Sequence, residues 1–199
     1  KLNMDFDGTL LKTTWKSDEL ICRVYLWESP GITYAYNKSL PEGLNYPDLS
    51  TRPTGGGVVF HAPGDIVFSY VFGVSNPIFP ESIKEKLSRI TEIIQKSLDS
   101  VGVIVDSTQT EKGKEDIRFC LTYTNPYECY VDGEKVLAMT LRRWKDRILV
   151  QGILHVQNNS DVFKKELPVF APYFTKGLNG KIESSEIQKR ILDETAKLL

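Results

Sequence analysis

The chain has 199 residues, with 25 Lys and Arg against 26 Asp and Glu and a formal net charge of −1. That length suits one compact domain with a single core, and the balanced charge advertises no broad basic surface for nucleic acid or anionic lipid. Cys22, Cys120 and Cys129 show no C-x-x-C or His-rich spacing, no apolar run is long enough to span a membrane and no signal pattern opens the chain. A disulfide framework, a zinc site and a membrane anchor are therefore not expected, and a cytoplasmic protein with its thiols reduced is.

Asp5-Phe6-Asp7-Gly8-Thr9-Leu10-Leu11 spells the opening motif of the haloacid-dehalogenase-like phosphatases. That chemistry needs a buried strand delivering the first Asp, and Lys1-Leu2-Asn3-Met4 is a poor one. It also needs a later acidic pair after a hydrophobic run, and Gly64-Asp65 precedes a strand instead. The alternative is an N-terminal helical turn with Leu2, Phe6 and Leu10 on one side at i, i+4, i+8. Leu20 to Trp27 and Ile32 to Tyr36, separated by Ser29-Pro30-Gly31, read as paired strands.

Thr54-Gly55-Gly56-Gly57-Val58-Val59-Phe60-His61 then places three glycines directly before a β-branched run. Glycine weakens a strand, so three in a row suggest a loop needing positive φ or a ligand pressed against main-chain N–H groups. With Arg52 upstream and His61 downstream, the stretch reads either as a cradle for a carboxylate or phosphate ester or as a tight turn beside an ordinary strand. Val58 to Phe60 and Asp65 to Phe72, joined by Ala62-Pro63-Gly64, form an expected second strand pair.

From Pro80 the period becomes helical: Ile83, Leu87, Ile90, Ile94 and Leu98 recur with charged residues between them, Pro80 fitting the first turn and Glu81 the dipole. Val101 to Val105 and Ile117 to Tyr123 read as strands flanking a polar loop from Asp106 to Asp116. Tyr127 to Val131 turns through Asp132-Gly133 into Glu134 to Arg143, a hairpin signal, and Arg147 to Val156 adds another strand. After a less regular stretch from Val162 to Leu178, Ser184 caps a terminal helix carrying Ile187, Ile191 and Leu198. The order implies an α+β fold with a mixed, mostly antiparallel sheet flanked by helices.

Lys135 lies just beyond the hairpin turn, where its ammonium can reach the mouth of the sheet or simply remain solvated. Glycine loop and hairpin lysine together resemble the lipoate-protein ligase A and octanoyltransferase family, the biotin/lipoate ligase group. Its hallmarks are Arg-x-Thr/Ser-Gly-Gly-Gly-x-Val-x-His, then Gly-Asp or Gly-Asn, and later Asp-Gly-x-Lys. Asn3 to Leu11 is similar to the family's first-helix pattern, which accounts for the phosphatase-like motif; Tyr25-Leu26-Trp27 and Gln151-Gly152 resemble further family segments.

The resemblance implies a class II synthetase-like catalytic domain over residues 1–199, without a C-terminal accessory domain. It gives Arg52, Gly55, Gly56, Gly57, Val58, Val59, Phe60 and His61 to an acyl-adenylate or acyl group and Lys135 to its carbonyl and phosphate, with no metal ligands. In the ligase form, lipoate or octanoate and ATP with Mg²⁺ give an acyl-adenylate. The acyl group then passes to a lysine on a lipoyl domain of a 2-oxoacid dehydrogenase complex or on the glycine-cleavage H protein. Val58, Phe60 and Phe68 are candidates to wall the acyl tail, or are core.

Cys120 lies fifteen positions before Lys135, the placement of the acyl-accepting cysteine in the family's octanoyltransferases. These use no ATP and take their substrate from acyl carrier protein or an acylated carrier domain. Lys135 would then help ionise the thiol; the alternative is a buried structural cysteine. Where the family has a small Gly-Ser after the lysine, this chain has Ala138-Met139, which leaves open a binding relative without turnover. The basic Gly-Arg-Gly-Arg loop of the biotin ligases is absent.

Overall fold

The computed structural model describes residues 1–13, 16, 18–79, 82–106, 116–122 and 127–199. The elements run α1 (Leu2–Lys12), β1 (Leu20–Leu26), β2 (Gly31–Ala35), β3 (Leu49–Arg52), β4 (Val59–His61), β5 (Ile66–Gly73) and α2 (Ile83–Asp99). There follow β6 (Tyr130–Val131), β7 (Glu134–Lys135), β8 (Leu137–Trp144), β9 (Arg147–Leu154), α3 (Asn159–Phe163), a 3-10 turn (Pro168–Tyr173) and α4 (Ser184–Ala196). A four-stranded antiparallel sheet has the order β1-β5-β9-β8. A smaller sheet, β3-β2-β4, is mixed, with β2 parallel to β3 and antiparallel to β4.

Side-chain alternation in the large sheet decides where the core and the cleft go, because successive residues of a strand face opposite sides. One face carries Phe68, Tyr70 and Phe72 of β5 with Val150 and Leu154 of β9, and α2 and α4 cover it with Ile90, Ile94, Leu98, Ile187 and Ile191. Burying each such aliphatic side chain contributes about 1.5–3 kcal/mol. The helical period of α2 makes that stripe. The helix starts at Ser82, whose hydroxyl accepts the Glu85 N–H at 3.2 Å and satisfies one open donor of the first turn.

The opposite face meets α1 and carries two cross-strand rows. Tyr25, Val67, Ile153 and Ala138 are in register across β1, β5, β9 and β8, and so are Arg23, Ser69, Gln151 and Thr140. The first row is largely apolar and the second polar. Asp7 of α1 sits on the polar row, accepting from Ser69 Oγ at 2.9 Å and Gln151 Nε2 at 2.7 Å and pairing with Arg23. A separate core of Ile32, Phe60, Phe119, Phe163 and Phe170 packs under the small sheet.

Several expected pairings and boundaries differ from this arrangement. β1 pairs with β5 rather than β2, and β4 pairs with β2 rather than β5, because the Ser29-Pro30-Gly31 and Ala62-Pro63-Gly64 turns carry the chain between two sheets. Leu2 and Phe6 are 86% and 52% exposed, whereas Met4, Asp7, Leu10 and Leu11 are buried; burial of Asp7 rotates the helix relative to its expected face.

The stretch expected as a strand from Val101 to Val105 has no strand partner among the described residues. Residues 117–122 form a turn, with one parallel bridge from Phe119 to Val58. Tyr123, Pro80, Glu81 and residues 107–115 of the expected polar loop lie outside the described residues. Ser184 opens α4 rather than capping it, since the capping position is Glu183 and no side chain bonds there. Among the described residues no helix is long and apolar enough to cross a membrane.

Candidate active site

The glycine loop joins β3 to β4 and lies against the turn that carries Cys120. Gly56 has φ +88°, and a Cβ there would stand 3.0 Å from Arg52 Nη2 and 3.1 Å from Cys120 Sγ. At Gly57 a Cβ would fall 2.4 Å from the Arg118 carbonyl oxygen. Glycine is therefore needed at both positions, at the first for backbone conformation and at the second for close approach. Contact of the two segments is sealed by the Val58 N–H donating to Arg118 O at 2.6 Å and the Cys120 N–H donating to Val58 O at 3.0 Å. The Cys120 sulfur then accepts the Gly57 N–H at 3.1 Å, with Arg52 Nη2 3.5 Å away.

Arg52 braces the loop from inside. Nε and Nη2 donate to Gly55 O at 3.1 and 2.8 Å, Nη2 also reaches Gly57 O, and Nη1 donates to Thr33 O at 3.2 Å and Thr33 Oγ1 at 3.3 Å. Beside it the His61 ring stacks on Trp27 with centroids 4.0 Å apart and sets Nε2 2.8 Å from Thr33 Oγ1. Its Nδ1 is buried without a hydrogen-bond partner among the described residues. Burial, with the charges of His155 and Arg52, holds the imidazole pKa well below its ordinary value, so the ring is neutral near pH 7.

These groups form one wall of a narrow cleft that is partly open to solvent. Val67, Ile153 and Ala138 of the apolar row make its floor, and Met4 and Gln151 close one side. Val59 faces the cleft, whereas Val58 and Phe60 are buried in the small-sheet core and Phe68 in the core under α2. The expected acyl walls at Val58, Phe60 and Phe68 thus belong to packing, because strand alternation turns them away. Met139 borders the cleft but packs against the α2-side core, leaving small Ala138 on the floor.

Lys135 follows a turn in which Asp132 and Gly133 have φ of 52° and 75°, the pattern of a type I′ hairpin. It is only 4% exposed. Its ammonium donates to the main-chain carbonyl of Cys120 at 2.7 Å and is paired with Glu128, whose other oxygen accepts from the Tyr130 hydroxyl at 3.2 Å. Burial pulls the lysine pKa down, and Glu128 opposes that shift. Lys135 therefore anchors the backbone of Cys120, and the Cys120 side chain also acts on the charge of its ammonium.

Glu128, Thr33 and the polar row under Asp7 were not singled out from sequence as site residues. For Glu128 a signal existed: the Asp-Gly turn pairs Tyr130 with Lys135, and period-two alternation puts Glu128 on the same side, diagonal to the lysine. Thr33 and Asp7 gave none, since their partners come from other strands. The other two cysteines are unlike Cys120. Burial pushes the Cys129 thiol up to about 12 and raises that of Cys22. Among the described residues no group of three or more His, Cys, Asp and Glu could hold a metal ion.

Comparison with known proteins agrees with this architecture. Octanoyltransferase LipM of Carboxydothermus hydrogenoformans is 23% identical over 167 residues, covering 80% of this chain and 62% of its own length. A probable lipoate-protein ligase A of Mycoplasma pneumoniae is 27% identical over 191 residues, covering 92% of this chain and 49% of its own. This chain thus spans less than two thirds of either relative. A putative lipoate protein ligase from T. acidophilum with bound lipoic acid superposes with a TM-score of 0.74 at 16% identity, covering 99% of this chain and 80% of that one. The fold is that of the lipoate ligases. The profile of the lipoyl protein ligase A/B catalytic domain matches residues 2–186, and the chain belongs to that family.

Proposed function

We propose that this chain is the catalytic unit of an octanoyl or lipoyl transferase in which Cys120 accepts the acyl group as a thioester and passes it to a lysine of a lipoyl-carrier domain. The observation that carries this reading is the Cys120 sulfur on the wall of an apolar-floored cleft, 3.1 Å from the Gly57 N–H and 3.5 Å from Arg52. Hydrogen-bond donors and a cation around a sulfur favour the thiolate, which is the nucleophile.

In the first step the Cys120 thiolate attacks the carbonyl of an acyl thioester, such as one on acyl carrier protein. A C–S bond forms to Cys120, and the carrier's sulfur leaves as a thiolate that takes a proton from solvent. In the second step the neutral ε-amine of the accepting lysine attacks the new thioester. The C–N bond forms, the Cys120 thiolate departs and the nitrogen releases its surplus proton. The acyl tail lies along Val67, Ile153 and Ala138, and the neutral His61 ring and buried Arg52 keep that end of the cleft ordered. The accepting lysine belongs to a lipoyl domain of a 2-oxoacid dehydrogenase complex or to the glycine-cleavage H protein.

The ligase route, in which lipoate and Mg-ATP form an adenylate, is the second reading, supported by the loop and lysine motifs. It needs cations for the phosphate. Here Arg52 is bonded to loop carbonyls and Lys135 to Glu128 and Cys120 O, which favours the transferase. Intact-mass analysis of a lipoyl domain discriminates the two. An octanoyl shift from octanoyl-acyl carrier protein without ATP, lost in Cys120→Ala, is expected. A lipoyl shift that requires lipoate and Mg-ATP and survives Cys120→Ala establishes the ligase, and silence in both tubes points to a binding relative.

A further inference from the structure

We propose that the cationic and aromatic rim formed by Lys12, Tyr36, Arg142, Trp144 and Lys145 is the docking surface for the acyl donor, an acidic carrier protein that delivers its thioester along β8 to Cys120. The proposal rests on the transferase reading for the identity of the donor, and its test reads binding apart from turnover.

Strand β8 connects the rim to the cleft. Successive residues of a strand alternate between faces, and Ala138, Thr140, Arg142 and Trp144 stand opposite Ile153, Gln151, Leu149 and Arg147 on the side that meets α1. Ala138 and Thr140 line the cleft with Cys120. Two residues further on, Arg142 donates to Pro53 O at 3.0 Å, at the entry to the glycine loop. An open depression lined by Gly8, Lys12, Tyr36 and Pro53 lies beside this point, and Met4 and Arg52 border both it and the cleft. A continuous path therefore leads from the exposed rim to the wall that holds Cys120.

The charge of the rim is concentrated and lacks counter-ions. Residues 142–147 read Arg-Arg-Trp-Lys-Asp-Arg, four cations against one carboxylate in a chain whose net charge is −1. Elsewhere on the surface cations have acidic partners: Arg89 has Glu92, Lys176 has Glu134, Lys181 has Asp132 and Lys197 has Glu194. Among the described residues no carboxylate is paired with Lys12, Arg142, Lys145 or Arg147. Aromatic rings order two of these cations instead. The Arg142 guanidinium lies 4.1 Å from the Tyr36 ring centroid and 5.7 Å from that of Trp144, and Lys12 Nζ lies 5.9 Å from the Trp144 ring. Such contacts hold a cation in place without cancelling its charge. Tyr36 and Trp144 are 51% and 39% exposed, so the rim presents the aromatic and arginine side chains that carry most of the binding energy at protein interfaces. Its charge complements an acidic protein face.

Distance selects the donor over the acceptor. From Thr140 to Trp144 the strand advances about 14 Å, and the four-carbon stem of an accepting lysine falls well short of that. A carrier whose thioester sits at the end of a long phosphodiester-linked arm can rest on the rim and still bring its carbonyl to Cys120.

The test is the affinity of the full chain for fluorescein-labelled holo-acyl carrier protein, read by anisotropy. Two charge-reversed pairs are compared: Lys12→Glu with Lys145→Glu on the rim, and Lys84→Glu with Lys189→Glu on α2 and α4, which cover the opposite face. Both pairs change the net charge by the same amount. The rim pair is expected to weaken binding about tenfold or more, and the control pair less than about twofold. Wild-type affinity should fall steeply between about 0.05 and 0.5 M salt, and that of the rim pair should fall little. Equal losses in the two pairs, no loss in the rim pair, or no binding by the wild type overturns the proposal. So does a labelled lipoyl domain that loses as much affinity for the rim pair as the carrier does, because the rim then belongs to the acceptor. Thermal melts check folding; should the rim pair be unfolded, Lys12→Gln with Lys145→Gln decides by the same criteria. Octanoyl transfer to a lipoyl domain is measured alongside, from octanoyl-acyl carrier protein and from the small thioester octanoyl-pantetheine. No transfer by the wild type from either donor, with rim-dependent carrier binding, sinks the transferase reading alone. Transfer from the carrier that is as fast in the rim pair as in the wild type at limiting donor sinks this proposal alone.

Discussion

Lys135 and Glu128 form an ion pair on the inside of the β6–β7 hairpin, with side chains 3% and 2% exposed. Removing one member of such a pair strands the other in a low-dielectric site. Lys135→Met is expected to cost about 3–5 kcal/mol of folding stability because the Glu128 carboxylate is left unpaired, and adding Glu128→Gln should recover most of it. Urea unfolding of the wild type, the single variant and the double variant measures this. A Lys135→Met protein as stable as the wild type rules out the pair as a structural element. Loss of transfer in a lysine variant is therefore informative only in the background that stays folded.

Gly57 is where the fold concedes most to the site. A Cβ 2.4 Å from Arg118 O meets backbone, which cannot rotate away, so Gly57→Ala must push apart the loop and the Cys120 turn. The expected cost is about 1–3 kcal/mol, accompanied by loss of the Val58 to Arg118 hydrogen bond and of acyl transfer. Gly8 is the control: it lies within α1, and the nearest atom to an added Cβ is a Pro53 carbon at 3.5 Å. Gly8→Ala should stabilise by about 0.5–1 kcal/mol through helix propensity, with transfer retained. Thermal melts and the octanoyl mass shift on both variants decide the matter.

How much of this was legible in the sequence depended on whether the signal was local. The α2 stripe, the Asp132-Gly133 hairpin and the strands β5 and β9 carry their own periodicity and turn residues. Strand partners do not. Ser29-Pro30-Gly31 suggests a hairpin, yet β1 goes to β5 because the Trp27 N–H donates to Asp65 O and the Gly64 N–H to Trp27 O, at 2.8 and 2.7 Å, and Leu26 to Leu20 then align with Ile66 to Phe72.

In the site, the motif letters identified the loop, the cysteine and the lysine as neighbours to look for, but not which atoms meet. That Lys135 contacts a carbonyl and Arg52 a sulfur follows from the orientation of a turn at residues 117–122 that the apolar letters of Phe119 and Leu121 disguise as a strand. Asp7, in a motif that resembles a phosphatase, owes its burial to Arg23, Ser69 and Gln151, residues of three strands that no local pattern connects to α1.

In the proposed transfer reaction, Ala138 on the cleft floor is the residue that sets how much acyl chain is accepted. It is paired with Ile153 and lies in the apolar row beside Val67, so a larger side chain there occupies volume the acyl tail needs. Ala138→Leu is expected to raise KM for an octanoyl donor at least about tenfold, a loss of roughly 1.4 kcal/mol, of the order of two buried methylenes, with less effect on a butyryl donor. Alkylation of Cys120 by a small reagent should be unchanged. Equal losses for both chain lengths remove Ala138 from the acyl path.

Asp7 makes stability respond to acid in a direction opposite to the usual carboxylate. Burial raises its pKa from 3.8, and the hydrogen bond from Gln151 and the charge of Arg23 oppose that shift without cancelling it. Between 3.8 and the raised value the folded state binds more protons than the unfolded chain, so Asp7 contributes stability that is fully present below the unfolded pKa and is lost as pH rises through the folded one. In Asp7→Asn that dependence disappears: the amide oxygen can accept from Ser69 and Arg23, and Gln151 can flip to present its oxygen to the new NH₂ and its own NH₂ to Thr54 Oγ1. The difference in unfolding free energy between Asp7→Asn and wild type, measured by urea from pH 4 to 7, should therefore move in favour of the variant as pH rises. A difference that is flat with pH, or that moves the other way, means Arg23 compensates the buried charge fully, and Asp7 is then an ordinary ion-paired carboxylate.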